Sequence, residues 1–293
     1  MTGASDELVT PAVLRAWPLS EPGVGKESRG TILVVGGSAT TPGAVRLAGE
    51  AALRAGAGKL AIATAASVVA PLAVAVPEAR VLRLPEDRQG SLAADAATAI
   101  VEAAGGADAV LIGPGFVDPE ASVRLLEAVL PQIACPVMLD GPGTAYLTQY
   151  PEGLQHLTAS ALVTANIREL ARMLQRDPDE VDEHALDAAR ELAERTGVVV
   201  VAGGAIKHIA GPDGRSWTIE GGGPGLGVSG SGDVQAGIAA GLLARGEAPA
   251  KAAVWAGFVH ARAGEHLAAA VGRVGYLARD LPAVVPRVIA EIG

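Results

Sequence analysis

Strand-length apolar runs alternate with Ala-rich stretches of helical spacing along most of the chain, and few architectures accept that pattern. Thr31–Val35 is a β-branched run closed by Gly36 and Gly37. Residues 45–55 then carry apolar positions at helical spacing, stopped by Gly56 and Gly58. Residues 60–64, 109–112, 137–139, 162–164 and 198–202 repeat the theme, each followed by a turn signal or a helical pattern. Several of these runs are apolar at every position, as strands covered on both faces require. The expected fold class is α/β: a doubly wound, mainly parallel sheet flanked by helices on both faces. No Pro/Ser-rich linker or internal repeat divides residues 1–293, so one domain is expected, with residues 1–25 as an N-terminal extension. Pro212, Asp213 and Gly214 lie between two short β-prone runs, so residues 198–219 read as a hairpin.

Composition narrows the function. Hydrophobic residues make up 49% and aromatics only 3%, so Ala, Val, Leu and Gly fill the core and elements can approach closely. A net charge of −9 argues against a nucleic-acid or anionic-membrane binder, which needs a basic face. The single cysteine, Cys135, excludes an intrachain disulfide or a Cys-based zinc site and reads as a small core hydrophobe. Residues 1–7 show neither a basic n-region nor an apolar h-region. The uncharged stretch between Lys59 and Glu78 contains Pro71 and is a poor membrane span. A soluble cytoplasmic protein is expected, with a homo-oligomer fitting an Ala/Leu-rich surface. His260 and His266 are six apart on a helical stretch, off one face, and no metal site is expected; His156, His184 and His208 read as surface or turn residues. Trp17, Trp217 and Trp255 read as packing, and the acidic run 177–183 as a polar turn.

In such a sheet, ligands gather at the carboxyl ends of the strands. Five loops there are rich in Gly, Ser, Thr, Asn or Asp: residues 36–44, 113–115, 140–143, 164–166 and 221–233. The last is the sharpest, and an Ala-rich helix over 235–244 follows it. Gly230 and Gly232, flanking Ser231, free backbone N–H groups to point at an anion, and the helix start adds its positive dipole end. Asp233 either caps that helix or meets a substrate hydroxyl. An anion hole beside a carboxylate is the pair that phosphoryl transfer to a hydroxyl needs. No Lys-Ser/Thr follows the glycines, so this is not a Walker loop; nor is it a dinucleotide fingerprint.

Taken together, the motifs resemble the ADP/ATP-dependent NAD(P)H-hydrate dehydratases of the ribokinase-like superfamily. The likeness runs from about Lys26 to the last helix. It rests on Gly30-Thr-Ile-Leu-Val-Val-Gly-Gly-Ser38, Gly43-Ala44, Ala55-Gly-Ala-Gly58, Pro77-Glu78, Ile112-Gly-Pro-Gly115, Leu139-Asp140, Pro212-Asp-Gly214 and Gly230-Ser-Gly-Asp-Val234, in that order. The resemblance implies phosphorylation of the ring hydroxyl of hydrated NADH or NADPH (NADHX, NADPHX), with ADP or ATP as co-substrate and Mg²⁺, followed by loss of the phosphate. It implies Asp233 as base and Gly230, Ser231 and Gly232 as anion hole. It also implies Ala44, Gly113, Gly115 and Asn166 around the hydrate, and Gly203, Gly204, Ala205, Ile206, Lys207 and Gly232 around the adenine nucleotide.

Four positions depart from the family pattern. Asn166 replaces a histidine and cannot titrate near neutrality. Gly203 replaces a phosphate-facing lysine, and Lys207 follows four positions later. Gly223 and Val228 replace the usual Asn and Thr before the Gly-rich turn. Losing one electrostatic donor costs about 3–4 kcal/mol of transition-state stabilisation. A kinase of another small alcohol and a nucleotide-binding protein without turnover are therefore the rival readings.

Overall fold

The computed structural model describes residues 6–21, 23–157 and 160–293. Residues 1–5, part of the segment read as lacking a targeting signal, lie outside the described residues. Ten strands form one sheet: β1 (Asp6–Leu8), β2 (Thr31–Val35), β3 (Lys59–Ala65), β4 (Ala79–Leu84), β5 (Ala109–Ile112), β6 (Val137–Leu139), β7 (Ala161–Ala165), β8 (Val199–Gly203), β9 (Lys207–Ala210) and β10 (Ser216–Ile219). Their order is β1-β10-β9-β8-β7-β6-β5-β2-β3-β4, and only β9 runs against the rest. β5, β6 and β7 are buried at every position, which explains their unbroken apolar runs.

The strand order reverses between β2 and β5, where the chain finishes one side of the sheet and starts the other. Helices Pro42–Arg54, Ser231–Ala244, Pro249–Ala270 and Leu281–Ile292 pack as one layer. Helices Pro119–Val129, Ile167–Leu174 and Ala185–Thr196 belong to the other. The first layer meets closely through small residues. Gly237 and Gly241 lie against the backbone of Ala48 and Ala52 on the Pro42–Arg54 helix. Cys135 packs at the margin of the core.

Several boundaries differ from the sequence expectation. The helix expected from residue 45 begins at Pro42, because Pro suits the first helical turn. The helix expected from residue 235 begins at Ser231, so the Gly-rich turn ends one turn earlier and Asp233 is already helical. The acidic run is itself a short helix, Pro178–Glu183, capped by the Asp177 carboxylate on the N–H groups of Asp179 and Glu180. β4 escapes the apolar-run criterion because Arg80 and Arg83 stand in it, as charge does on protected edge strands. His208 is a strand residue bonded to the Thr218 hydroxyl at 3.0 Å, not a turn residue.

The N-terminal segment is also more than an extension. β1 pairs with β10, and the Thr10 hydroxyl caps the helix Pro11–Ala16. Trp17 stacks on Trp217 with centroids 5.7 Å apart, and the Trp255 indole donates to the Trp17 carbonyl. All three tryptophans thus serve packing. Among the described residues, no helix is long and apolar enough to cross a membrane.

Candidate active site

Two cavities share one wall at the start of the Ser231–Ala244 helix. The first, about 280 Å³, lies over the carboxyl ends of β6, β7 and β8; Asp140, Thr164, Glu169, Gly203 and Asp233 are among its lining. The second, about 370 Å³, lies between the β8–β9 turn and the loop 221–228, with Gly204, Ala205, Ser231 and His260 in its wall. Lys207, Gly232 and Gln235 line both. Strand ends and a helix start thus converge where an α/β sheet normally holds a ligand.

Sequence and local geometry explain the shared wall. Gly230 is the N-cap at φ +91°, and a Cβ there would lie 2.6 Å from Leu47. No side chain caps the helix: Asp233 sits in its first turn but holds no backbone N–H. The capping alternative for Asp233 is thereby removed. Ser231 is less available than expected, because its N–H donates to the Val228 carbonyl at 3.1 Å. The amides of Gly232 and Asp233 have no acceptor among the described residues and point the helix dipole into the site.

Electrostatics single out Asp233. Its carboxyl is pushed up to about 7, first by burial and then by the charge of Asp140. Asp140 is itself raised by burial, against a short hydrogen bond donated by the Thr164 hydroxyl. Glu169 is raised by burial, with Asp140 adding to the effect. A carboxyl that titrates near neutrality beside free amides is equipped to take a proton from a hydroxyl while an anion is held next to it. His260 does the opposite: burial drives it down to about 3, helped by the nearby charge of Lys207, so it stays neutral. Its Nε2 lies 2.9 Å from the Ser231 hydroxyl, and its Nδ1 has no partner among the described residues.

The other expected site residues divide. Asn166 is at the first cavity, but its Oδ1 accepts the Glu169 N–H at 3.0 Å while the Glu169 carboxylate accepts the Asn166 N–H at 2.9 Å. This capping box commits the side chain to the Ile167–Leu174 helix. Asn166→Ala is therefore expected to cost about 1 kcal/mol of stability, read as a fall of a few degrees in a thermal melt. An unchanged melt would show that the box carries no stability. Gly203 lines the first cavity, and only Gly204, Ala205 and Lys207 of that stretch reach the second; Ile206 lines neither and is 47% exposed.

Ala44, Gly113 and Gly115 line neither cavity; Gly115 packs against Ala44 of the Pro42–Arg54 helix. Gly113 lies directly behind Asp140, and the Thr41 hydroxyl donates to the Gly115 carbonyl at 2.6 Å. Arg168 is an exposed helix residue. Sequence reasoning missed Gln235 and His260. Neither stands in a motif, and both lie on apolar helices whose contact with the Gly-rich turn appears only in three dimensions. Asp140 closes the Leu139-Asp140 block on which the resemblance partly rests, but it was not singled out as a site residue. Among the described residues, no group of three or more His, Cys, Asp or Glu could hold a metal ion by itself.

Comparisons with known proteins give the family. The sequence pattern of the NAD(P)H-hydrate dehydratase family matches residues 32–287. An ADP-dependent (S)-NAD(P)H-hydrate dehydratase from Xanthomonas campestris is 45% identical over 100% of this chain and 99% of its own length. The chain also spans about half the length of bifunctional NAD(P)H-hydrate repair enzymes, 50% of the one from Moorella thermoacetica. Among solved structures, the ADP/ATP-dependent dehydratase from Bacillus subtilis, co-crystallised with ATP and Mg²⁺, superposes with a TM-score of 0.80 at 27% identity over 98% of this chain and 99% of that one. A ribokinase-like protein from Enterococcus faecalis gives 0.83 at 23% identity over 98% and 96%, a likeness of fold. With the matched pattern reaching from β2 into the last helix, across both cavities, the chain belongs to the NAD(P)H-hydrate dehydratase family.

Proposed function

We propose that this protein dehydrates hydrated NADH and NADPH at the expense of ADP or ATP, with the hydrate in the first cavity and the nucleotide in the second. The observation that carries the reading is Asp233 with its carboxyl near 7, lining the first cavity beside its own free amide and that of Gly232, which lines both cavities. The ring hydroxyl oxygen attacks the terminal phosphorus of the nucleotide, and its proton passes to Asp233. The new P–O bond forms as the nucleotide P–O bond breaks, releasing AMP from ADP or ADP from ATP. The ring C–O bond then breaks, its electron pair leaves with the phosphate, and loss of the neighbouring ring proton restores the double bond.

The amides of Gly232 and Asp233 serve as the anion hole, with Gly230 supplying the backbone turn. Gly204, Ala205 and Lys207 border the nucleotide, while Ala44, Gly113, Gly115 and Asn166 are assigned to the hydrate side. Mg²⁺ arriving with the nucleotide would offset the negative charge of the phosphates. Asp140, which lines the first cavity and has no cation partner among the described residues, would face the ion only where the terminal phosphate reaches from the second cavity toward the first. The chain acts as one unit from β1 to the last helix, in the cytoplasm, and the exposed edge strand β1 with Leu8 supports a homo-oligomer.

Purified protein with Mg²⁺ and either nucleotide is expected to restore absorbance at 340 nm from the hydrate, releasing one orthophosphate per molecule repaired. Nucleotide consumption with another hydroxylated compound, and none with the hydrate, would replace this reading by that of a kinase.

A further inference from the structure

We propose that the Lys207 ammonium, supplied from β9, is the positive charge that meets the transferring phosphate. The inference rests on the dehydratase reading for the identity of the phosphate. Its geometry stands on the two cavities alone. Lys207 is the one lysine or arginine among the described lining residues of either cavity, and it stands in the wall they share. A phosphate passing from one to the other passes this side chain.

The register explains how the position came to serve. Gly203 on β8 and Lys207 on β9 are directly opposed in the antiparallel pair. Opposed residues project to the same face with Cβ positions about 5 Å apart. Lys207 therefore stands on the face that a side chain at position 203 would occupy, and glycine leaves that space open. The reverse arrangement is barred. Gly203 has φ +115°, and a Cβ there would lie 2.2 Å from the Ile206 carbonyl oxygen. The tight turn that carries Lys207 excludes a lysine at 203.

The charge is also uncommitted. Lys59 and Lys251 are paired with Glu27 and Glu247 at 3.0 and 2.9 Å. The Lys207 amine donates only to the Gly204 carbonyl, at 3.3 Å, and has no carboxylate partner among the described residues. Around it stand Asp233 from the Ser231–Ala244 helix, Asp140 after β6, Glu169 from the Ile167–Leu174 helix, and His260 from the Pro249–Ala270 helix. His260 is neutral, so it does not share the task. Burial lowers the Lys207 amine, and its charge is lost as pH rises through that lowered value. Lys207 makes and breaks no bond; it offsets the negative charge of the phosphate as the phosphorus changes oxygen partners.

The test compares wild type, Lys207→Met and Lys207→Arg. It uses turnover at 340 nm from pH 6 to 10 and equilibrium binding of ADP and AMP in Mg²⁺. AMP lacks the phosphate that would be transferred. The Met variant is expected to lose about 100-fold or more in kcat. It should bind ADP at least tenfold more weakly while keeping AMP affinity. The Arg variant should recover part of the rate and lose the alkaline fall, because guanidinium does not titrate there.

Wild-type kcat in the Met variant, or an equal loss of ADP and AMP affinity, overturns the proposal, the latter because it marks a structural role. If wild type itself repairs no hydrate, the dehydratase reading fails. The ADP-against-AMP contrast then still decides whether Lys207 meets a phosphate.

Discussion

Asp233→Asn is expected to lower kcat about 1000-fold and, above neutral pH, to make the protein more stable. The first effect follows from removing a positioned base, worth about 10²–10⁴-fold, while Asn keeps the shape and the amides of the helix start. In wild type the acid limb of the rate profile should fall as pH drops through about 7, where Asp233 takes up a proton. The second effect has a definite sign. Asp233 is raised from 3.8 to about 7 in the folded protein, so the folded state holds the proton more tightly than the unfolded chain. Stability then falls as pH rises from about 4 to 7, and the cost is fully present above 7. A rise from 3.8 to about 7 corresponds to about 4 kcal/mol, and with part of the carboxyl screened by solvent roughly half of that is expected. Urea melts should show the variant ahead by about 2 kcal/mol at pH 8 and level with wild type near pH 4. Loss of activity with equal destabilisation at both pH values would make Asp233 a structural residue. Unchanged kcat would remove it as the base.

That pairing of lost activity with gained stability was only half legible in the sequence. The Gly-rich turn placed Asp233 beside an anion hole, because glycines and a following apolar helix are local features. The carboxyl's environment was not legible, since Asp140 lies 93 positions away after β6 and reaches Asp233 only when the sheet forms. The central strands were readable because full burial imposes unbroken apolar runs. β1 and β4 were not, because at the sheet's edges charge is tolerated and the pattern breaks. Asn166 looked like a ligand, yet its side chain closes a capping box with Glu169, a pairing that the spacing Asn166-Ile-Arg-Glu169 already contained. The place of Lys207 needed the β8–β9 register, which a one-residue change in the turn would have altered. The Ser231–His260 contact links two helices through apolar sequence with no motif to mark it.

Gly237→Ala is expected to destabilise the protein by about 2 kcal/mol and to reduce turnover although residue 237 touches neither cavity. In an exposed helix the same change would add about 1 kcal/mol, because glycine is the poorer helix former. Here a Cβ would lie 2.2 Å from the Ala48 carbonyl oxygen and 2.8 Å from its Cα. Those are backbone atoms of a packed helix and cannot turn aside, so the two helices must separate, and overpacking of this kind costs about 1–3 kcal/mol or more. Gly241 repeats the contact one turn later against Ala52, so the spacing is set along the whole face. Asp233 lies one turn before Gly237 on that face, and Gly230 ahead of it rests on Leu47 of the same partner helix. Pushing the helices apart therefore displaces the base and the free amides together. Gly43→Ala is the control: Gly43 lies near the start of the Pro42–Arg54 helix with nothing within 4 Å of its added Cβ, and a gain or no change is expected. A fall in melting temperature of about 4–8 °C for Gly237→Ala, absent in the control, would match the expected energy. If both variants melt like wild type, the helix pair can yield, and the position of Asp233 must be held by the loop 221–230 through Gly222 and Glu265 instead.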